Sequence, residues 1–399
     1  MLQRLTILFV YSLLLNISFA QQSVYTEAAK PVAKTKFYLP QEGVVIFNLL
    51  LDDFSDTLNF IFDTGASTTF LDSAFARKLN LTVSDDVKIA RGMGGTQQIL
   101  LTKNHTIRIN QLKEDNVDMY LMNIEILSYL YGKTIHGIIG YPLLKKYTAK
   151  VNYDKEELSF WTFGKIKYPA RGFTIRPNIS TFSYYVTHVE DQKTALFNYM
   201  FDTGAALTVL FSTDYLKDNE FIHPKRQKFK KRMQGLGGNV DFDISLMKKI
   251  KFGKYSFRNV PINIFEDENN ITSYPSNGGL LGNEILRRFN CILDYNARQF
   301  HFTPNKHFKD AFDYAYSGLE LYLIEDKIIV GDVSENSPAE AAGIRHGDEI
   351  IAINTQFAFD INKAKKELQS TTGKVNVILK REEELQTVQM KTIDIRKKK

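Results

Sequence analysis

Two short runs carry the residue types for chemistry. They are Phe62-Asp63-Thr64-Gly65-Ala66 and Phe201-Asp202-Thr203-Gly204-Ala205, each an acid, a hydroxyl and a glycine at the end of an apolar stretch. At average residue usage, roughly 0.1 Asp-Thr-Gly triplets would arise by chance in a chain of this length, so two of them form a signal. Each position has a physical reason. Glycine lets the chain turn sharply and admits a second backbone at close range. The threonine hydroxyl can bond across to the opposite loop and hold two loops face to face. Asp63 and Asp202 would then lie side by side. Two carboxyls that close cannot both ionise, so they share one proton, one serving as base and the other as acid.

The elements that must present these residues are strands, and they occur twice. Asn59–Ser67 recurs as Asn198–Ala206 at a spacing of 139 residues. Arg91-Gly92-Met93-Gly94-Gly95 recurs as Gln234-Gly235-Leu236-Gly237-Gly238 at a spacing of 143. Gly137-Ile138-Ile139-Gly140 recurs as Gly279-Leu280-Leu281-Gly282 at 142, and Tyr153, Leu158 and Phe160 recur as Tyr295, Phe300 and Phe302. Four landmarks in one order identify an internal duplication. Between them, Gly43–Leu51 is an apolar β run, and His105–Ile109 and Val260–Ile264 alternate with period two. Pro261 assigns the second of these to a sheet edge. Short helices are expected over 72–79 and 142–147. From about Tyr314 the texture becomes a compact α+β pattern. Strand-like Lys327–Val330 leads to a short helix with Ser337 as cap and Pro338 at its first position. A turn and strand over Gly347–Asn354, an amphipathic helix over Asn362–Ser370 and a strand over Val375–Lys380 follow.

On these residues, 41 to about 304 resemble the aspartic (acid) proteases. The Asp-Thr-Gly-Ala form and the Gly-Ile-Ile-Gly and Gly-Leu-Leu-Gly segments are most similar to the retroviral-type branch. The expected fold is mainly β, a two-lobed acid-protease fold made from duplicated retropepsin-like units, as in pepsin, plus a small α+β domain. The resemblance implies that Asp63 and Asp202 are catalytic and activate the water that hydrolyses a peptide bond. It implies that Thr64 and Thr203 form an interlocking grip, with Gly65 and Gly204 supporting the active-site loops, and that the Gly-Ile-Ile-Gly and Gly-Leu-Leu-Gly segments thread behind those loops. Gly92, Met93, Gly94 and Gly95, with Gly235, Leu236, Gly237 and Gly238, would form the tips of flap-like hairpins over a peptide or protein substrate. Two departures stand out. No Tyr-Gly flap tyrosine is present, and Ala66 and Ala205 replace the serine or threonine that pepsins place after Asp-Thr-Gly. Without those donors the carboxyl pKa values should rise, which gives an expected optimum at mildly acidic pH.

The C-terminal segment resembles a PDZ domain of the bacterial protease-associated kind, in Gly318-Leu319-Glu320-Leu321, Ser337–Gly343 and Gly347-Asp348-Glu349-Ile350. The resemblance implies a ligand peptide added as a strand to a sheet edge, its chain-terminal carboxylate held by Ser317, Gly318 and Leu319. The expected organisation is a signal peptide over 1–20, a linker over 21–40, lobes over 41–165 and 166–313, and the PDZ domain over 314–395. The alternative function is a catalytically silent peptide-binding scaffold on the same fold.

Composition narrows the remaining classes. The 399 residues are 44% hydrophobic and 24% charged, with a mean hydropathy of −0.24, which excludes collagen-like and disordered chains. A net charge of +6 is too mild to argue for nucleic acid. The single cysteine, Cys291, permits no intrachain disulfide and reads as a buried small residue. Seven scattered histidines offer no His-x-x-x-His pair, so neither a metal nor an organic cofactor is expected. The basic run Lys225–Arg232 reads as a solvated loop before the second flap. Ser67 has no nucleophile context. Asn80, Asn104, Asn178 and Asn270 open glycosylation sequons. Arg4, the apolar run Leu5–Leu15 and Ser18-Phe19-Ala20 read as a cleaved export signal. The expected protein is periplasmic or secreted, soluble after cleavage, and able to act as a monomer because both carboxylates lie in one chain.

Overall fold

The computed structural model describes residues 25–397 apart from 42 and 236. The leader expected over 1–20 and the flap-tip residue Leu236 lie outside the described residues.

Each Asp-Thr-Gly loop hangs from the same four-strand arrangement. Strand Leu58–Phe62 runs parallel to Gly137–Ile139, which pairs antiparallel with Phe70–Asp72, itself parallel to Leu112–Met122. In the second half Thr194–Asp202, Gly279–Gly282, Val209–Ser212 and Tyr255–Phe265 repeat the pattern, senses included. The strand from the Gly-x-x-Gly segment is thus inserted between the two strands that flank the Asp loop. It is buried along its whole length in both halves, as its unbroken apolar sequence requires. Each lobe also carries a long hairpin, Ser84–Gly92 with Gly95–Ile109 and Phe229–Gly235 with Gly238–Phe252. The inner strands of these hairpins pair back onto Ile46–Leu51 and Ser183–Glu190. That pairing curls each sheet into a barrel-like lobe.

A six-stranded antiparallel floor joins the lobes. Thr148–Asn152 pairs directly with Phe289–Asp294, their hairpin partners Glu157–Trp161 and Gln299–Pro304 lie outside them, and Pro31–Tyr38 and Phe173–Ile175 close the two ends. One continuous core runs through both lobes and contains Phe60, Phe62 and Phe160 with Phe197, Phe201 and Phe302. Cys291 is buried in it, as expected, and burial pushes its thiol pKa up.

Three expectations are corrected here. The segment 21–40 is not all linker, because Pro31–Tyr38 is a strand of the floor. Only Ala33 and Phe37 of its eight residues are buried, too few to show a period. Pro261 is not in an edge strand, since Tyr255–Phe265 pairs on both sides. The second neighbour engages only from Asn263 onward, opposite Leu210, so the missing N–H at 261 interrupts no bond on that side. The basic run is a loop only over 225–228. Its second half enters the flap strand Phe229–Gly235, and several of its charges are paired: Lys230 with Asp243 at 2.8 Å, Arg232 with both oxygens of Asp241 at 2.7 and 2.8 Å, and Arg226 with Asp191.

The C-terminal domain has its own core, including Leu321, Val330, Ile350, Val377 and Leu379. Its seven-stranded sheet ends at Leu319–Ile324, whose one strand neighbour among the described residues is Lys327–Val333. Helix Pro338–Ala341 is capped by Ser337, whose Oγ accepts the Glu340 N–H at 3.2 Å. Helix Ile361–Ser370 is capped by Asp360.

Candidate active site

Asp63 follows directly on its parallel strand pair and Asp202 is the last residue of its own, so their positions are set by the buried strands beneath them. The Asp63 N–H donates to the Ile139 carbonyl at 3.0 Å. Behind the first loop, the Tyr141 N–H donates to the Ala66 carbonyl at 3.0 Å; behind the second, Asn283 donates to Ala205 at 2.9 Å. A Cβ on Gly140 would collide with the carbonyls of Asp63 and Ala66, and one on Gly282 with that of Leu207. The second glycine of each Gly-x-x-Gly segment is therefore required by close backbone approach.

The threonines join the two loops reciprocally. Thr64 Oγ1 donates to the Phe201 carbonyl at 2.9 Å and accepts the Thr203 N–H at 3.1 Å. Thr203 Oγ1 donates to the Phe62 carbonyl at 2.9 Å and accepts the Thr64 N–H at 3.0 Å. Both side chains are buried, so these four bonds satisfy groups that water cannot reach. Behind this grip, buried Asn283 bridges the halves. Its side chain accepts from the Tyr153 hydroxyl at 2.8 Å and donates to the Gly43 carbonyl.

The grip brings the carboxyls together. Each glycine lies against the opposite acid: a Cβ on Gly65 would meet the Asp202 carboxyl at 2.7 Å, and one on Gly204 would strike that of Asp63. Only a loop without a side chain at that position lets the acids converge. The Gly65 N–H donates to Asp63 Oδ1 at 2.7 Å; the N–H groups of Gly204 and Ala205 donate to Asp202 Oδ1 at 2.9 and 3.0 Å. Burial pushes both carboxyls above the ordinary aspartate range. Asp202 is raised further by the negative charge of Asp63 and by the hydrogen bond between the two. The same bond, with the N–H groups of Gly65, Gly204 and Ala66, pulls Asp63 back down. Two carboxyls this close and both raised share one proton between them.

The hairpins meet over this site. Their last residue pairs are Gly92 with Gly95 and Gly235 with Gly238, so all the described glycines expected at the tips are there. The tips touch: a Cβ on Gly94 would strike the Gly238 backbone, and one on Gly95 would come within 3.1 Å of the Gly237 carbonyl. Met93 of the first flap packs on a lobe 2 cluster containing Met200 and Ala205, while Ala206 packs on the lobe 1 cluster containing Ala66 and Ile138. The two hairpin tips therefore close on each other across the lobes. Tyr295 lies close enough for both catalytic-loop carboxyls to help raise its hydroxyl pKa, after burial. In the sequence it served only as a landmark of the duplication. Its proximity to the acids comes from the floor pairing, which no local pattern announces.

The residues expected to hold a peptide carboxylate lie elsewhere, at the junction of the C-terminal domain with lobe 2. Ser317 and Gly318 are buried. The Leu319 N–H donates to Ser317 Oγ at 3.2 Å, and the Gly318 carbonyl accepts from Ser334 at 2.8 Å.

Residues 51–143 and 188–285 match the family model described as aspartyl protease, and residues 329–381 match that of the PDZ domain. A comparison with curated proteins found no match. The two matched halves each contain one Asp-Thr-Gly loop, one hairpin and one Gly-x-x-Gly strand, so the chain is a bilobal aspartyl protease fold, duplicated within one polypeptide and followed by a C-terminal PDZ domain.

Proposed function

We propose that this chain is an exported aspartic endopeptidase whose PDZ domain recognises peptides or chain ends. The observation that carries the reading is the pair of buried carboxyls, each set against the glycine of the opposite loop, on loops locked by Thr64 and Thr203. A dyad with one proton can act on both sides of a peptide bond. Asp63, the ionised member, takes a proton from a water held between the acids, and Asp202 donates its proton in a hydrogen bond to the scissile carbonyl oxygen. The water oxygen bonds to the carbonyl carbon and a tetrahedral gem-diol results. Its collapse, with a proton delivered to the leaving nitrogen, returns the dyad to its starting charge. Because burial raises both carboxyls, the singly protonated window is displaced upward, towards mildly acidic pH. The PDZ domain contributes the free edge of Leu319–Ile324, to which an extended peptide can add as a strand, with its chain end at Ser317–Leu319.

The test exposes the mature protein, with Asp63→Asn and Asp202→Asn beside it, to a diverse peptide mixture from pH 3 to 8 with mass-spectrometric readout. Wild-type cleavage lost in both variants, by on the order of 10³–10⁴-fold, is the expected result. Cleavage surviving in either variant overturns the dyad. Peptides retained but uncut at every pH would instead establish the scaffold function.

A further inference from the structure

The free edge of the PDZ sheet is not open. Helix Glu125–Tyr131 of lobe 1 lies along Leu319–Ile324, and the turn that ends it enters the space between that strand and helix Ile361–Ser370. Gly132, at φ +65°, packs so closely that a Cβ there would strike Ile361 and come within 3.6 Å of Leu323. Tyr322 is buried in the lobe 1 cluster with Leu130 and Tyr131. The ammonium of Lys365, itself buried, donates to the Leu130 carbonyl at 2.7 Å and faces Glu320 at 3.5 Å. Lobe 1 fixes the outer side of the same helix: Asn362 donates to the Tyr38 hydroxyl at 2.7 Å, and Gln41 donates to Gln369 at 2.7 Å.

The same docking holds the second flap. Glu320 reaches Lys231 at 3.6 Å, Ser334 Oγ accepts the Arg232 N–H at 3.1 Å, and the Tyr316 hydroxyl bonds to the Lys230 carbonyl while its ring packs on Phe229. All four flap residues belong to Phe229–Gly235, the edge strand of the lobe 2 sheet.

We propose that lobe 1 is an internal ligand of the PDZ groove, so that an incoming peptide and the Glu125–Gly132 segment exclude one another, and that a peptide which wins the groove loosens the second flap. This rests on the proposed recognition of peptides at the Leu319–Ile324 edge. The coupling is reciprocal: docking weakens peptide binding by the same factor by which a bound peptide weakens docking. The PDZ domain then acts as an effector site for the protease.

The groove can be opened from the lobe 1 side without altering its own walls. Gly132→Leu pushes against Ile361. Tyr38→Phe with Gln41→Ala removes two side-chain anchors and is the gentler variant should the first fail to fold. Each is made in the full chain carrying Asp63→Asn, so that bound peptides are not cut. The probe is a pool of random decapeptides with free C-terminal carboxylates, with retained peptides counted by mass spectrometry. Hydrogen exchange is followed over 125–132 and 229–235. The expected result is retention raised at least about fivefold over the parent, with faster exchange in both segments. Equal retention by parent and variants overturns the competition while leaving peptide recognition standing. No retention by any protein overturns peptide recognition and this proposal with it. Raised retention with unchanged exchange over 229–235 overturns the link to the flap.

Discussion

The two lobes reach one active-site geometry from different materials. In lobe 1 the helix after the Asp loop, Ser73–Lys78, is capped by Asp72, whose Oδ1 accepts the Phe75 N–H at 2.8 Å; in lobe 2 the helix Thr213–Asn219 is capped by Ser212, whose Oγ accepts the Tyr215 N–H at 3.2 Å. The lobe 1 side of the core packs Leu49, Leu58, Leu71, Ile107 and Leu121 around tilted and edge-on Phe47, Phe62 and Phe160, whereas the lobe 2 side holds the stacked pairs Phe197–Tyr199 and Phe211–Tyr215. What the lobes share is small: the Asp-Thr-Gly triplet, the Gly-x-x-Gly strand and the flap glycines. These are the positions where another backbone comes too close for a side chain, or where a hydroxyl must bridge. Core volume can be filled in many ways, whereas such close approaches cannot. The lobes differ most at the flaps. The second is held by the PDZ domain, whereas Val87 and Ile89 of the first are exposed at 55% and 67%.

The grip gives the largest structural effect with which to test that equivalence. Thr64→Ala strands the Phe201 carbonyl and the Thr203 N–H; Thr203→Ala strands the Phe62 carbonyl and the Thr64 N–H. Each variant leaves two buried groups unsatisfied and should cost about 2–4 kcal/mol, read by denaturant melts, with Thr→Ser largely restoring either site. Equal losses would show that the lobes share the load; a difference beyond about 1 kcal/mol would mark one loop as self-supporting.

The carboxyls themselves are expected to be unequal. A raised folded-state pKa contributes stability that is complete below the ordinary aspartate value and is lost as pH rises through the folded value. Replacing the acid by asparagine removes that loss. Melting temperature in Asp202→Asn should therefore rise relative to wild type as pH goes from 4 to 8, by about 2–4 °C at the upper end, and by less in Asp63→Asn, whose hydrogen bonds oppose the shift. The reverse order would move the retained proton to Asp63. A hydroxyl supplied by Ala205→Ser tests the cause: if a missing donor helps to raise the pair, the optimum of the cleavage profile falls by about half a unit to one unit.

The sequence showed the site well and its surroundings poorly, for a physical reason. Asp63, Thr64, Asp202 and Thr203 were legible because close approach and hydroxyl bridging tolerate few residue types. The duplication then located the flaps and the inserted strands. Pro31–Tyr38 was not legible, because a floor strand with two buried residues has no period to see. Helix Glu125–Tyr131 was missed as well: it has no side-chain cap at Ile124, and its packing partner lies almost two hundred residues away in the PDZ domain. Lys365 shares its helix with Lys363 and Lys366, and nothing in the local sequence sets it apart. Only the assembled structure shows it buried against the Leu130 carbonyl.

The smallest difference between the lobes is a single titratable ring. Behind each Asp strand an asparagine ties the chain to the segment that precedes Gly-x-x-Gly. Asn59 donates to the Thr134 carbonyl at 2.7 Å, and Asn198 donates to that of Ser276. In lobe 1 the Asn59 N–H also donates to Nδ1 of His136 at 3.0 Å, where lobe 2 has Gly278. That bond requires a neutral ring. Burial lowers the His136 pKa, Lys78 adds to the lowering, and Asp72 opposes both. A depressed folded value contributes stability above the ordinary histidine range, and this is lost as pH falls. Acid should therefore weaken the strand under Asp63 before its counterpart under Asp202, within the range where the dyad is expected to work. His136→Asn places an oxygen acceptor near the Nδ1 position and does not titrate. Between pH 7 and pH 4 its melting temperature should fall about 1–3 °C less than that of wild type. An identical fall in both proteins would remove His136 as the source of asymmetry and leave the two Asp strands equally resistant to acid.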